Sequence, residues 1–246
     1  MIIMTRKINF RSVRITALVG AGALVAGLAV AIPLASHHAH ADHPGRAPVA
    51  APAEPSPQPI DAGSVSLVPG DRWADGLALG YPDTRSGALS AGLEYTTAFV
   101  ECLDPDRLRA VLRDIAAPSQ KIGADPVAVT RNDRALVGAP PSGPLPAGTA
   151  LVLTGRMYQL LDFDQHGARL LLLFSMAASG PNAPDLSGKV LALPTRLSWV
   201  GGDWKLAAWD GGTNYQTPVA APDSTAAYND GWLDLPSAAD GPGSWS

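Results

Sequence analysis

The chain has 246 residues, 46% of them hydrophobic and only 16% charged, with a formal net charge of −4. Four of its 18 basic residues, Arg6, Lys7, Arg11 and Arg14, lie ahead of an apolar segment; without them 14 basic residues face 22 acidic ones, about −8. An acidic body of that kind repels phosphate backbones and argues against nucleic acid as a direct ligand, and the single cysteine, Cys102, rules out an internal disulfide.

Residues 1–14 form a basic tail. Ile15–Leu34 is twenty residues without a charge, long enough to cross a bilayer as a helix. The positive flank then stays in the cytoplasm and the rest of the chain is sent outside. Ala39-His40-Ala41 is an A-x-A sequence, so secretion after cleavage behind Ala41 is the rival reading. The length of the apolar run favours an uncleaved single-pass anchor in the cell membrane. Both readings export the remainder of the chain. His37, His38, His40 and His43 crowd the outer end of the segment. Imidazole binds metals and titrates near neutrality, but a ligand set needs a fixed geometry that this tract does not supply. No metal site is assigned to it. Residues 35–70 are rich in proline and alanine and show no apolar period, which predicts an extended, semi-rigid spacer.

The folded body is predicted to span residues 71–211. Asp83 or Thr84 is positioned to cap a helix running to about Glu101, with Leu89, Leu93, Thr96 and Val100 at helical spacing. A neighbouring stripe of Ala88, Ala91, Tyr95, Ala98 and Cys102 is small enough for close packing, and Cys102 reads as a small buried residue on that helix. Asp104-Pro105 opens a second helix, with Asp as the cap and Pro in the first helical position. Leu108, Val111, Leu112 and Ile115 follow at i, i+3, i+4 and i+7. Arg107, Arg109 and Arg113 are expected to pair with Asp104, Asp106 and Asp114, an exposed mixed-charge face worth little energetically. Residues 117–148 are punctuated by Pro, Gly and Ser; a short element within Asp125–Val137 has no assignable type.

Strands then dominate. Thr149–Leu161 alternates in part, with Leu151, Leu153 and Met157 on one side and Thr154 and Arg156 on the other. Asp164-Gln165-His166-Gly167 is a turn. Arg169–Met176 is a nearly continuous apolar run, as in a strand covered on both faces. Val190–Val200 and Asp203–Trp209 flank Gly201-Gly202, a pair suited to a primed two-residue turn. That turn sets Val200 opposite Asp203, Trp199 opposite Trp204, Ser198 opposite Lys205 and Leu197 opposite Leu206. The expected fold class is therefore α+β: two or more helices packed on a curved four-stranded antiparallel sheet. Residues 212–246 read as a polar tail in which Trp232, Leu233 and Leu235 dock.

Two stretches carry a resemblance. Gly80-Tyr81-Pro82-Asp83-Thr84-Arg85-Ser86-Gly87-Ala88, followed by Tyr95, resembles the G-[FY]-P-x-T-x-x-G-A helix opening of a family of actinobacterial membrane-anchored proteins. Leu197-Ser198-Trp199-Val200-Gly201-Gly202-Asp203-Trp204-Lys205-Leu206 resembles that family's closing hairpin, which is also common in NTF2-like and VirB8-like domains. The resemblance implies an NTF2-like cone outside the membrane, associated with conjugative elements and similar to assembly factors of type IV secretion channels. It implies envelope or secretion-channel partners or self-association, and no catalytic, cofactor-binding or metal residues.

NTF2-like cones also serve as enzymes, with an Asp base and a Tyr/Asp oxyanion pair. Tyr95, Tyr158, Asp162 and Asp164 are the residues available for those roles here. Their bland readings are core for the tyrosine on the helix and solvated turn acids for the two aspartates. His166, the one histidine after the spacer, is needed by any Ser/His or Cys/His chemistry, yet it reads as a turn residue. The sequence therefore points to a non-catalytic, membrane-tethered binding domain without cofactor. An exported enzyme or small-ligand binder using the cone cavity is the alternative.

Overall fold

A computed structural model describes residues 59–61, 63, 65–118, 122, 125–207 and 220–236. The apolar segment 15–34, expected to be an anchor, and the histidine tract lie outside the described residues. No helix among the described residues is long and apolar enough to cross a membrane.

The chain opens with a small hairpin, β1 (Arg72–Ala74) and β2 (Leu77–Leu79), joined by Asp75-Gly76 with both residues at positive φ. Three helices follow, α1 (Arg85–Val100), α2 (Pro105–Ile115) and α3 (Pro126–Leu136). Each is started by a side-chain oxygen that takes an otherwise orphaned N–H. Thr84 accepts from Gly87, Asp104 from Asp106 and Arg107, and Asp125 from Val127 and Ala128. In the last two, proline fills the first helical position, where its missing N–H costs nothing. The undetermined element between Asp125 and Val137 is thus a helix.

The sheet is antiparallel and has five strands, one more than expected. Its order is β6 (Asp203–Ala207), β5 (Val190–Val200), β4 (Gly167–Ser179), β3 (Ala150–Phe163) and β7 (Leu233–Asp234). A short helix, α4 (Thr225–Asn229), precedes β7. The fifth strand comes from the tail, where Leu233 pairs with Tyr158 and Asp234 with Met157. The folded body is also wider than residues 71–211 at its start. Val65, Leu67 and Val68 of the expected spacer pack on the core, and the amide of Val68 donates to Ser90.

Gly201 and Gly202 both adopt positive φ, and the β5–β6 register is the one that the turn requires. Trp199 and Trp204 meet edge to face with ring centroids 5.0 Å apart. Trp204 is fully buried and its indole N–H donates to the carbonyl of Pro82 at 2.9 Å, tying the hairpin to the start of α1.

Strand β4 is covered on both faces, as its apolar run implies. Leu170, Leu172 and Phe174 enter the main core beneath α1, while Leu171 and Leu173 join a second cluster with Ala227 and Trp232. One expectation for β3 fails. Leu151 and Leu153 lie in the main core, but Met157 lies in the second cluster on the opposite face. A β-bulge between Gly155 and Met157 inserts one residue and inverts the alternation beyond it. Helix α1 is buried over most of its circumference because its side chains are small. A β-carbon added to Gly92 would fall 2.7 Å from Leu170 Cδ1, so glycine sets how closely the helix approaches the sheet.

Candidate functional site

Glu94, Thr97 and Glu101 follow one another along a single face of α1, at i, i+3 and i+7. That face looks toward the outer part of β3. Where the two meet lies an open cleft of about 420 Å³. Leu67, Leu93, Phe174 and Leu235 form its apolar walls, and Glu94, Thr97 and Arg156 are its polar lining. The bulge that displaces Met157 also brings Arg156 to this position, and the Arg156 carbonyl accepts from the Leu235 amide at 3.3 Å. The trailing segment is thereby fixed as the cleft's outer wall.

The two carboxylates are held differently. Glu101 accepts the amide proton of Leu153 at 2.6 Å, whereas Glu94, among the described residues, receives only the amide of Ala78, at 3.5 Å. Burial raises both carboxyl pKa values, each opposed by its backbone donor; the negative charge of Glu94 adds a further rise at Glu101. Arg156 is paired with Asp223 at 2.6 Å, so its positive charge is already answered.

The outer edge of β3 runs past the cleft. The Leu153 amide points away from β4 to meet Glu101, and by antiparallel alternation Leu151 and Gly155 turn their backbone groups the same way. Beyond the bulge, β7 pairs at Met157 and Tyr158, and the amide of Ile60 donates to the carbonyl of Leu160. Before the bulge, from Ala150 to Gly155, no strand pairs with this edge among the described residues. Val152, on the far face, is 46% exposed there.

The residues considered for pocket catalysis are not brought together. Tyr95 is fully buried in the core, stacked edge to face on Tyr81 at 5.9 Å, and its hydroxyl has no hydrogen-bond partner among the described residues. Tyr158 is buried on β3. Asp162 is exposed near the end of that strand. Asp164 accepts the amides of His166 and Gly167, which lower its pKa, and His166 is an exposed turn residue. No hydrogen bond or ring contact joins any two of the four candidate residues among those described.

Two further expectations need correction. Cys102 lies in the connection between α1 and α2, not on the helix; it is buried, and its S–H donates to the Asp104 carbonyl. On α2, Arg109 pairs with Asp106, but Arg113 reaches Asp75 in the β1–β2 turn at 3.2 Å, and Asp104 is spent as the cap.

Sequence reasoning missed the buried Asp133 of α3 and two buried charges that tie distant parts of the chain together. Asp203 is nearly inaccessible and gathers Arg72 at 2.7 Å, Lys205 at 3.0 Å and the Gly80 amide at 3.1 Å. Arg134 is equally buried on α3, and its guanidinium donates to the carbonyls of Leu103, Pro140 and Gly143. The proline-rich segment after α3 is wrapped around that guanidinium. Neither residue lines the cleft; both bind parts of the chain to one another.

The fold and the cleft define an α+β domain whose five-stranded antiparallel sheet leaves a stretch of β3 without a strand partner among the described residues, beside a groove lined by Glu94 and Arg156. The chain belongs to the family described as Domain of unknown function (DUF8175), whose model matches residues 33–229, from the end of the apolar segment to the last residue of α4. No curated protein and no solved structure matches the chain.

Proposed function

We propose that this chain is a non-catalytic, extracytoplasmic NTF2-like domain that binds other proteins of the cell envelope. Residues 15–34 anchor it in the membrane and the proline/alanine spacer holds it away from the bilayer. The observation that carries this reading is the open edge of β3 from Ala150 to Gly155. Its outward backbone groups, with the Leu153 amide held by Glu101 until a partner strand displaces that side chain, are a template for an added strand, a common way for one protein to take up an extended segment of another. The exposed Val152 adds apolar surface there. The partners implied by the resemblance are components of an actinobacterial conjugation or type IV secretion-like apparatus, or a second copy of the chain.

Capture from detergent-solubilised membranes with the full-length chain tests this reading. The expected result is recovery of secretion or cell-wall proteins, reduced at least tenfold by Val152→Lys, which sets a charge beside the edge. Recovery of none, or recovery unaffected by that change, contradicts it. The cleft favours a second reading, an exported small-ligand binder, because a concave apolar site with a few polar groups is the usual form of a ligand pocket.

A further inference from the structure

We propose that the cleft between α1 and β3 binds an alkylammonium or alkylguanidinium group, its charge on Glu94 and its aliphatic stem against Leu67, Leu93 and Phe174. The inference goes beyond envelope-protein binding and holds whether or not the chain is anchored. Three observations converge on it.

Glu94 is the under-used group of the lining. An ionised carboxylate offers about four acceptor positions, and Glu94 has one distant amide donor and no cationic partner among the described residues. Glu94 is only half-buried, so water reaches its remaining oxygens from the open cleft, and a cation entering the cleft takes the place of that water. The other charge in the lining does not compete. Arg156 is held by Asp223, so Glu94 is the charge of the lining that has no ionic partner among the described residues. The shape supplies the rest. About 420 Å³ is far more than a bare ion fills, and the walls are leucine side chains and an aromatic ring. Such walls suit a stem of a few methylenes. Thr97, one turn along α1, gives a second acceptor for an N–H.

A free small amine and the side chain of a lysine or arginine share this chemistry. The open edge of β3 begins at Gly155, which itself lines the cleft, so an extended peptide on the edge can deliver a basic side chain into it.

The test is titration of the full-length chain with n-pentylammonium, followed by calorimetry and by amide shifts at Thr97 and Gly155. The expected result is saturable binding with a Kd of about a millimolar, the range open to so small a ligand. Glu94→Gln is expected to weaken binding at least tenfold, and 1-pentanol to leave the shifts unchanged. Leu235→Lys, a change on the partly exposed outer wall, keeps the question open to test if the first variant does not fold; it places a fixed cation in the cleft and is expected to abolish binding. A second arm uses acetyl-Thr-Val-Lys-Val-Thr-amide and its norleucine counterpart. If the lysine peptide binds more than tenfold tighter than pentylammonium, with shifts at Leu151 and Leu153, the source is a protein side chain. Equal or weaker peptide binding assigns the cleft to a free small cation. Absence of saturable binding by both cationic probes overturns the proposal, as does equal affinity for pentanol, or affinity unchanged in both variants.

Discussion

The guanidinium of Arg72 lies 2.7 Å from the carboxylate of Asp203, 131 residues further along the chain. Arg72 belongs to the first hairpin and Asp203 to the first position of β6. The same carboxylate takes the Gly80 amide and the Lys205 ammonium, and Lys205 also donates to the Asp114 carbonyl at 2.6 Å. One buried aspartate therefore holds the β1–β2 hairpin and the closing turn of the sheet together, and through Lys205 it reaches the end of α2.

Removing that charge leaves two cations and an amide without their acceptor. Asp203→Ala is expected to destabilise the fold by about 3 kcal/mol, as breaking a buried ion pair does. Arg72→Met is expected to cost about 1 kcal/mol or less, because Arg72 is largely solvated and the other two donors stay. Urea unfolding of the two variants measures the difference; equal costs contradict the view of Asp203 as the hub.

Tyr95 presents the opposite case. Its hydroxyl is buried without a partner among the described residues, and burial together with the nearby Asp203 charge drives its pKa upward. Tyr95→Phe removes a desolvated polar group and no hydrogen bond. The expected change is between zero and about 1 kcal/mol of added stability. A loss of more than 1 kcal/mol in urea unfolding contradicts this.

Asp133 introduces a pH dependence. It is buried on α3 and desolvation raises its carboxyl pKa from 3.8 to about 7. The folded chain thus holds this proton more tightly than the unfolded chain does. Its contribution to stability is complete below about pH 4, declines as the pH rises and is lost above about 7. The expected loss is on the order of a few kcal/mol between pH 4 and 8. Asp133→Asn is expected to flatten that part of the stability curve and to raise stability at pH 8. A variant curve parallel to that of the parent contradicts the assignment.

Arg134 explains why a proline-rich segment is ordered at all. Three carbonyls, from Leu103, Pro140 and Gly143, share one guanidinium. Arg134→Met keeps much of the buried stem and removes all three donors, at an expected cost of about 2–3 kcal/mol. Proteolysis is expected to begin near Pro140–Gly143 in the variant. Unchanged protease resistance there contradicts the role.

Much of this fold is legible in the sequence because turn chemistry and side-chain alternation are local. Gly201-Gly202 sets the β5–β6 register, and the Asp104-Pro105 cap starts α2. The same kinds of signal stand at two further places, one where no element was expected and one where the element's type was left open. Asp75-Gly76 marks the first hairpin, and Asp125-Pro126 opens α3 with the same cap and proline as α2. Other features have no local signal. The bulge at Gly155–Met157 depends on how two strands meet, and it alone decides that Met157 leaves the main core and Arg156 lines the cleft. Glu94 reads as any helix acid until the approach of β3 and of the segments carrying Leu67 and Leu235 forms walls around it. Asp203 looks like a solvated strand end, and only the return of Arg72 across the fold makes it a buried hub.

The central claim is that envelope proteins are bound along the open edge of β3. Photo-crosslinking in intact cells tests it most directly, with a benzophenone amino acid at Val152 and, as a control, at the exposed Arg131 on α3. Discrete crosslinks are expected from position 152, to envelope proteins or to a second copy of the chain, and none of these from position 131. Absence of crosslinks from position 152, or the same pattern from both positions, would contradict it.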